Sequence, residues 1–152
     1  MRIVVQEAGF DAGQELTRFG TGNSGIGAIV SFTGVVRDTA DGTLDAMQIE
    51  HYPGMTEAAM TKIAQEAMTR WALGDILVIH RFGRLSPGDQ IMMVATSSTH
   101  RKDAFEAAEF LMDYLKSRAP FWKKEILRDG ARNKSGWVAA RDEDEDALGR
   151  WD

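Results

Sequence analysis

The chain has 152 residues, 43% of them hydrophobic, and a formal net charge of −5. That is enough apolar material for one core, and with no Pro/Gly/Ser-rich linker to divide it, a single domain over residues 1–152 is expected. The absence of cysteine excludes a disulfide, a thiolate metal site and a persulfide. The acidic balance argues against a nucleic-acid partner, and with no leader-like start and no run of membrane-spanning length, a cytoplasmic location without membrane contact is expected.

From the N-terminus, Arg2 to Gln6 reads as a short strand, and Asp11 with Gln14 has the pattern of a capping box opening a brief helix through Phe19. Gly20, Gly22 and Gly25 then spell G-x-G-x-x-G. A dinucleotide site needs a strand before that motif and a helix N-terminus after it. Here a helix precedes and a strand follows, so the segment reads as a connection. Gly25 to Val36 and Ala46 to His51 are rich in β-branched and apolar residues and read as a hairpin turning at Asp41-Gly42. Arg37 leaves the first of these strands close to Gly34, at a strand end of the kind that often carries function, although a lone arginine there is more often a surface charge.

Thr56 is the expected N-cap of a helix with Met60, Ile63, Ala64, Ala67, Met68 and Trp71 on one face and Gly74 as its stop. Asp75 to Phe82 and Gln90 to Ser97 are strand-like, separated by the turn residues Ser86-Pro87-Gly88-Asp89. A second helix, with Thr99 at its start and Phe105, Ala108, Met112 and Leu115 on one face, is ended by Pro120. Phe121 to Arg128 reads as a strand, and the acidic run Asp142 to Asp146 as the solvated face of a short terminal helix. Strands and helices mixed without regular βαβ alternation make the class α+β.

His51, His80 and His100 have no metal-ligand spacing, so no metal site is expected. His80, in an apolar strand, reads as a hydrogen-bonded core residue, and His51 could be the same. His100 and Arg101 follow a strand at the first turn of a helix, where free N–H groups and the helix dipole favour an anion; the plain alternative is an exposed capping pair. Between Lys116 and Lys134 stand seven basic residues against two acidic ones, a local cationic patch that points to a small anionic ligand. Lys116 ends the helix and Lys123 lies just past the Pro120 break. A chain reversal there can aim both ammonium groups at one site, where each lowers the other's proton affinity and a lysine becomes a base or nucleophile. A lysine at a helix C-terminus is also simply favourable to the dipole.

Taken in order, SFTGVVRD, IEHYPGMTE, HRFGRLSPGD, SSTHRKDAFEA and DYLKSRAPFWKKE resemble the motifs of the molybdopterin synthase large-subunit family, from about Gly25 to about Arg141. The resemblance implies a cytoplasmic sulfurtransferase of molybdenum cofactor biosynthesis, which inserts two sulfurs into cyclic pyranopterin monophosphate to form molybdopterin. The sulfur would come from the thiocarboxylated Gly-Gly C-terminus of a ubiquitin-like small subunit, in agreement with a chain that has no cysteine. It further implies an α/β-hammerhead fold with a mixed or antiparallel sheet and two main helices, a central dimer within a heterotetramer, and no cofactor. Lys116 and Lys123 would be catalytic. Val35, Val36, Arg37, His100, Arg101, Lys124 and Glu125 would line the substrate pocket, and Arg141, after Trp137-Val138, would reach in from the neighbouring protomer. The span from Ile126 to Gly136 departs from any pattern of the family. Two other readings of the residues are an adaptor that binds a ubiquitin-like tail without chemistry, and a Schiff-base enzyme using Lys116 or Lys123 with Arg37 and Arg101 on a phosphate.

Overall fold

The computed structural model describes residues 1–128, 136–139 and 141–152. In chain order the elements are β1 (Arg2–Gln6), α1 (Ala12–Phe19), β2 (Ala28–Val35), β3 (Leu44–His51), α2 (Met55–Arg70), β4 (Leu73–Arg81), β5 (Gly83–Leu85), β6 (Gln90–Ser98), α3 (Arg101–Arg118), β7 (Phe121–Leu127), β8 (Gly136–Trp137), α4 (Asp142–Asp146) and a 3₁₀ turn over Ala147–Trp151. The strands form two sheets. One has the order β1-β4-β6-β2, with β1 parallel to β4 and the other pairs antiparallel; the second, β5-β3-β7-β8, is antiparallel throughout. This is the expected α+β class, with α2 and α3 as its two main helices.

The two central strands of the first sheet are buried on both faces, which is why β4 and β6 read as nearly unbroken apolar runs. Ile76 and Val78 point into the main core with Ile63, Phe110, Leu111 and Leu115 of the helices and Ile49 and Leu127 of the second sheet. Leu77, Ile79, Met93 and Ala95 point the other way, under Phe10, Ala12 and Phe19 at α1. Asp11 caps α1 by accepting from the Gln14 N–H at 3.0 Å, as its position in the sequence indicates.

Several local expectations are corrected. The segments either side of Asp41-Gly42 are not a hairpin: β2 pairs with β6 and β3 with β5 and β7, so the chain changes sheets there. The turn itself exists, with Gly42 at φ 70°, but Asp38, Thr39 and Thr43 side chains hold it together in place of a strand ladder. Gly54, not Thr56, is the N-cap of α2, and the Glu57 carboxylate accepts from its N–H at 2.7 Å. Thr56 is fully buried, and its hydroxyl donates to the Pro120 carbonyl at 2.9 Å. Gly74 does not stop α2, which ends where Trp71 turns extended. It lies within β4, at a position where a Cβ would come within 2.3 Å of the Ile26 side chain. In α3 the N-cap is His100 with no side-chain bond, so Thr99 does not cap it, and Phe105 is exposed while Ala104, Ala107, Phe110 and Leu111 face the core. Two alanines make that face thin, and spacing alone picked the larger aromatic ring.

Candidate active site

Pro120 ends α3 and the chain turns back at once: Ala119 is extended, and the Phe121 N–H donates to the Ala119 carbonyl at 2.9 Å. The Thr56 clip on Pro120 ties this corner to the start of α2. From here β7 runs against β3, with His51 opposite Phe121 and Ile49 opposite Lys123. Alternation along a strand puts Phe121, Lys123, Glu125 and Leu127 on one face and Trp122, Lys124 and Ile126 on the other. Leu127 is in the core, so Lys123 faces inward. Lys124 faces outward, with its ammonium 5.8 Å from the Trp137 ring centroid.

Burial holds the proton affinity of Lys123 below the ordinary lysine value, the nearby Lys116 ammonium lowers it further, and Asp144 partly offsets both. The reversal at Pro120 therefore does bring the two lysines into electrostatic contact. Asp144 lies 3.8 Å from the Lys116 ammonium, and Arg118 pairs with Glu145 at 2.7 Å. The acidic run is thus not merely a solvated face. α4 docks on the end of α3, helped by the Ser117 hydroxyl donating to the Asp144 carbonyl at 2.9 Å. Position alone gave no sign of Asp144's role, although an acidic run close behind a cationic segment was a signal of charge complementarity.

On the inner side stands His80, 6% exposed. Its Nδ1 lies 2.7 Å from the Arg81 carbonyl oxygen, so that nitrogen carries the proton and donates. The ring stacks on Phe121 with centroids 3.7 Å apart and 18° between planes. Burial lowers its pKa from 6.5 to about 4; the bond to Arg81 opposes the shift, and Lys123 and His51 add to it. His51 packs on Phe82, with ring centroids 4.3 Å apart, and its Nε2 is 4.0 Å from Glu57.

The depressed pKa has a consequence for stability. The unfolded chain takes up this proton near pH 6.5 and the folded chain only near 4, so stability is lost as pH falls through that window, by about 3 kcal/mol in full. Above pH 6.5 the ring contributes nothing to the pH dependence. Urea unfolding at pH 7 and pH 4.5 is expected to show wild type losing about 2 to 3 kcal/mol more than His80→Phe over the interval; equal losses would mean that His80 ionises normally.

The remaining expected pocket residues are not gathered in one place. Arg37 is exposed just beyond Val35, which pairs with Gln90 at one end of the β2–β6 ladder, the end where His80 pairs with Met92. His100 and Arg101, both exposed, follow Ser98 at the other end, roughly 25 Å away at about 3.3 Å per residue. Arg101 also begins the helix whose last turn holds Lys116, about 22 Å along its axis. Within one chain, Arg37 and the two lysines therefore sit toward one end and the His100-Arg101 pair at the other. Val35 is exposed, but the Val36 side chain is in the core and its backbone is bonded to Gly88 and Asp89. Lys124 lies on the face of β7 opposite Lys123, and Glu125 shares the face of Lys123. Arg141 is exposed at the N-cap of α4. Asp129, Arg132 and Lys134 of the cationic segment, and most of the span from Ile126 to Gly136, lie outside the described residues. A shallow hollow of about 360 Å³ beyond His51 is lined by Glu7, Gln48, Glu50 and Phe82 among others, and its two carboxylates suit it poorly to an anion.

No described helix is long and apolar enough to cross a membrane, and among the described residues no group of three or more acidic or histidine side chains could hold a metal. Fold and site together define an α+β enzyme domain built around an inward-facing lysine of lowered proton affinity and a second lysine beside it. The model of the MoaE protein family matches residues 5–118. A molybdopterin synthase catalytic subunit of Cereibacter sphaeroides is 62% identical over 151 residues, 99% of this chain and 100% of that protein. The solved molybdopterin biosynthesis MoaE protein of Burkholderia ambifaria is 50% identical, with 99% of this chain and 97% of that one covered and a TM-score of 0.82. A Helicobacter pylori chain from a complex of subunits 1 and 2 of molybdopterin-converting factor is 19% identical over 91% of each chain at a TM-score of 0.76, a likeness of fold. This chain belongs to the MoaE family of molybdopterin synthase catalytic subunits.

Proposed function

We propose that this chain converts cyclic pyranopterin monophosphate into molybdopterin by accepting two sulfurs from the thiocarboxylated C-terminus of a ubiquitin-like small subunit, with Lys123 as the proton-transfer group. The observation that carries this reading is Lys123 itself, partly buried on the inward face of β7 and depressed in proton affinity by that burial and by Lys116. An adaptor that only attracted an acidic tail would gain nothing from burying a lysine, since a solvated cation attracts as well and costs less to fold. A base that works near neutral pH needs that depression.

The chemistry divides between the two lysines. Lys123 takes and returns protons as sulfur adds and the substrate oxygen leaves, while Lys116, half exposed in the last turn of α3, orients the tail carbonyl and stabilises negative charge developing on its oxygen. Asp144 holds Lys116 in place until an anion arrives. Arg37, as a fixed guanidinium at the same end of the sheet, suits the substrate phosphate.

A second copy explains the distance between Arg37 and the His100-Arg101 pair. β2 is an edge strand, and Ile29, Phe32 and Val35 on it are 41%, 42% and 52% exposed, an apolar edge of the kind that pairs with another chain. Two copies joined edge to edge at β2 in antiparallel fashion set the end of one strand against the start of the other. Arg37 of one protomer then meets His100 and Arg101 of the partner subunit, and the anion site is completed across the dimer.

The isolated chain is expected to form no dithiolene from precursor and free sulfide, and to form it when supplied with thiocarboxylated small subunit. Comparable rates with sulfide alone would sink the sulfur-carrier reading. Borohydride trapping of the precursor on Lys116 or Lys123 would favour a Schiff-base enzyme instead.

A further inference from the structure

We propose that His80 is a positioning residue for Lys123: its uncharged ring, clamped between the Arg81 carbonyl and the face of Phe121, fixes the start of β7 and seals the inner side of the lysine from water. The inference rests on Lys123 being the proton-transfer group, and it concerns a residue to which the site described above gives no part in the reaction.

The placement follows from strand parity. Ile76, Val78 and His80 share the face of β4 that looks across the main core, and Phe121 and Lys123 share the inward face of β7. His80 is where the two sheets touch at this end of the molecule, through a stack of 3.7 Å on the residue two positions before Lys123. A phenylalanine would also stack but could turn about its χ angles; the Nδ1–H bond to the Arg81 carbonyl at 2.7 Å pins the imidazole plane. β7 is then held at its first residues by three contacts: Thr56 on Pro120, His51 opposite Phe121 in the ladder, and His80 on the Phe121 ring.

Lys123 has charged or titratable neighbours on every side. Lys116 comes from α3, Asp144 from α4, His51 from β3 with Glu57 of α2 behind it, His80 from β4, and Glu125 from its own strand. Of these His80 is the most buried, and it stands near enough for the Lys123 charge to lower its own pKa. If the ring is removed, water enters beside the lysine, its ammonium regains hydration and its proton affinity climbs. The neutral fraction at a given pH falls accordingly.

The test reads Lys123 directly, in the full chain without substrate or small subunit, by following ¹³C-labelled lysine side chains by NMR through a pH titration. Lys123→Arg assigns the signal, and a cooperative urea-unfolding transition reports on the intact fold. His80→Gln is expected to raise the Lys123 midpoint by about one pH unit. His80→Phe, which keeps the stack, should raise it by less than a third as much. Phe121→Leu keeps His80 but removes its stacking partner, and should act like His80→Gln; it carries the test alone if His80→Gln does not fold. A Lys123 midpoint unmoved in a folded His80→Gln or Phe121→Leu chain would reduce His80 to a structural residue. A shift in His80→Phe as large as in His80→Gln would assign the effect to the ring nitrogens and overturn the stacking account. Because no turnover is measured, an error in the assigned reaction leaves the titration standing.

Discussion

Lys123→Arg is expected to lose nearly as much activity as Lys123→Ala, about 10³-fold in single-turnover dithiolene formation with preformed complex. The two substitutions separate charge from proton transfer. Arginine keeps the positive charge and reaches the same space, so a lysine that only attracts anions tolerates it with modest loss. A guanidinium does not give up its proton in the working range, so a lysine that must do so cannot be replaced by it. The local structure sharpens the contrast, because burial and the Lys116 charge both push Lys123 toward the free amine. Lys116 is half exposed and paired with Asp144; Lys116→Arg should lose only about tenfold, since orienting a carbonyl and stabilising an oxyanion need charge rather than exchange. If Lys123→Arg retained most of the wild-type rate, Lys123 would be an electrostatic clamp and the proton would move elsewhere.

The readable parts of this molecule were those in which a local rule and the tertiary structure agree. The Asp11 cap, the α2 face of Met60, Ile63, Ala64 and Ala67, and the break at Pro120 are each decided within a few residues of themselves. The pair Lys116 and Lys123 was legible for the same reason: only a proline and a reversal separate them. The errors fall where partners are remote. Nothing in the two segments flanking Asp41-Gly42 says that one will pair with β6 and the other with β7, more than 50 residues on. Thr56 looked like a cap because its true bond is to Pro120, 64 residues away. His80 was recognised as a hydrogen-bonded core residue, but its stack on Phe121 joins two sheets that periodicity treats separately. The motif resemblance named Arg37, His100 and Arg101 as one pocket, but a single chain holds them apart, and the shared site proposed above needs a second copy.

That separation yields the largest change in activity to be expected from a mixture of inactive proteins. Lys123→Ala and Arg101→Ala homodimers should both be nearly inactive, the first for want of the proton-transfer group and the second for want of the anion clamp. If each site takes Lys123 and Arg37 from one protomer and Arg101 from the partner subunit, a mixed dimer contains one site lacking both groups and one site lacking neither. Random re-pairing of equal amounts makes half of the dimers mixed, so activity should return to about a quarter of wild type. Each variant is complete in β2, so pairing along the exposed Ile29, Phe32 and Val35 edge remains available. The measurement is dithiolene formation with excess thiocarboxylated small subunit, after the two variants have been unfolded and refolded together and, as a control, separately. An Arg37→Ala chain mixed with Lys123→Ala should recover nothing, because both groups are then needed from the same protomer and no arrangement of the two chains supplies them. Recovery in the first mixture and none in the second would require a site shared across the dimer in this sense. Failure of both would confine the chemistry to one chain, and an Arg101→Ala dimer that kept its activity would leave His100 and Arg101, at the far end of α3 and β6, without a part in it.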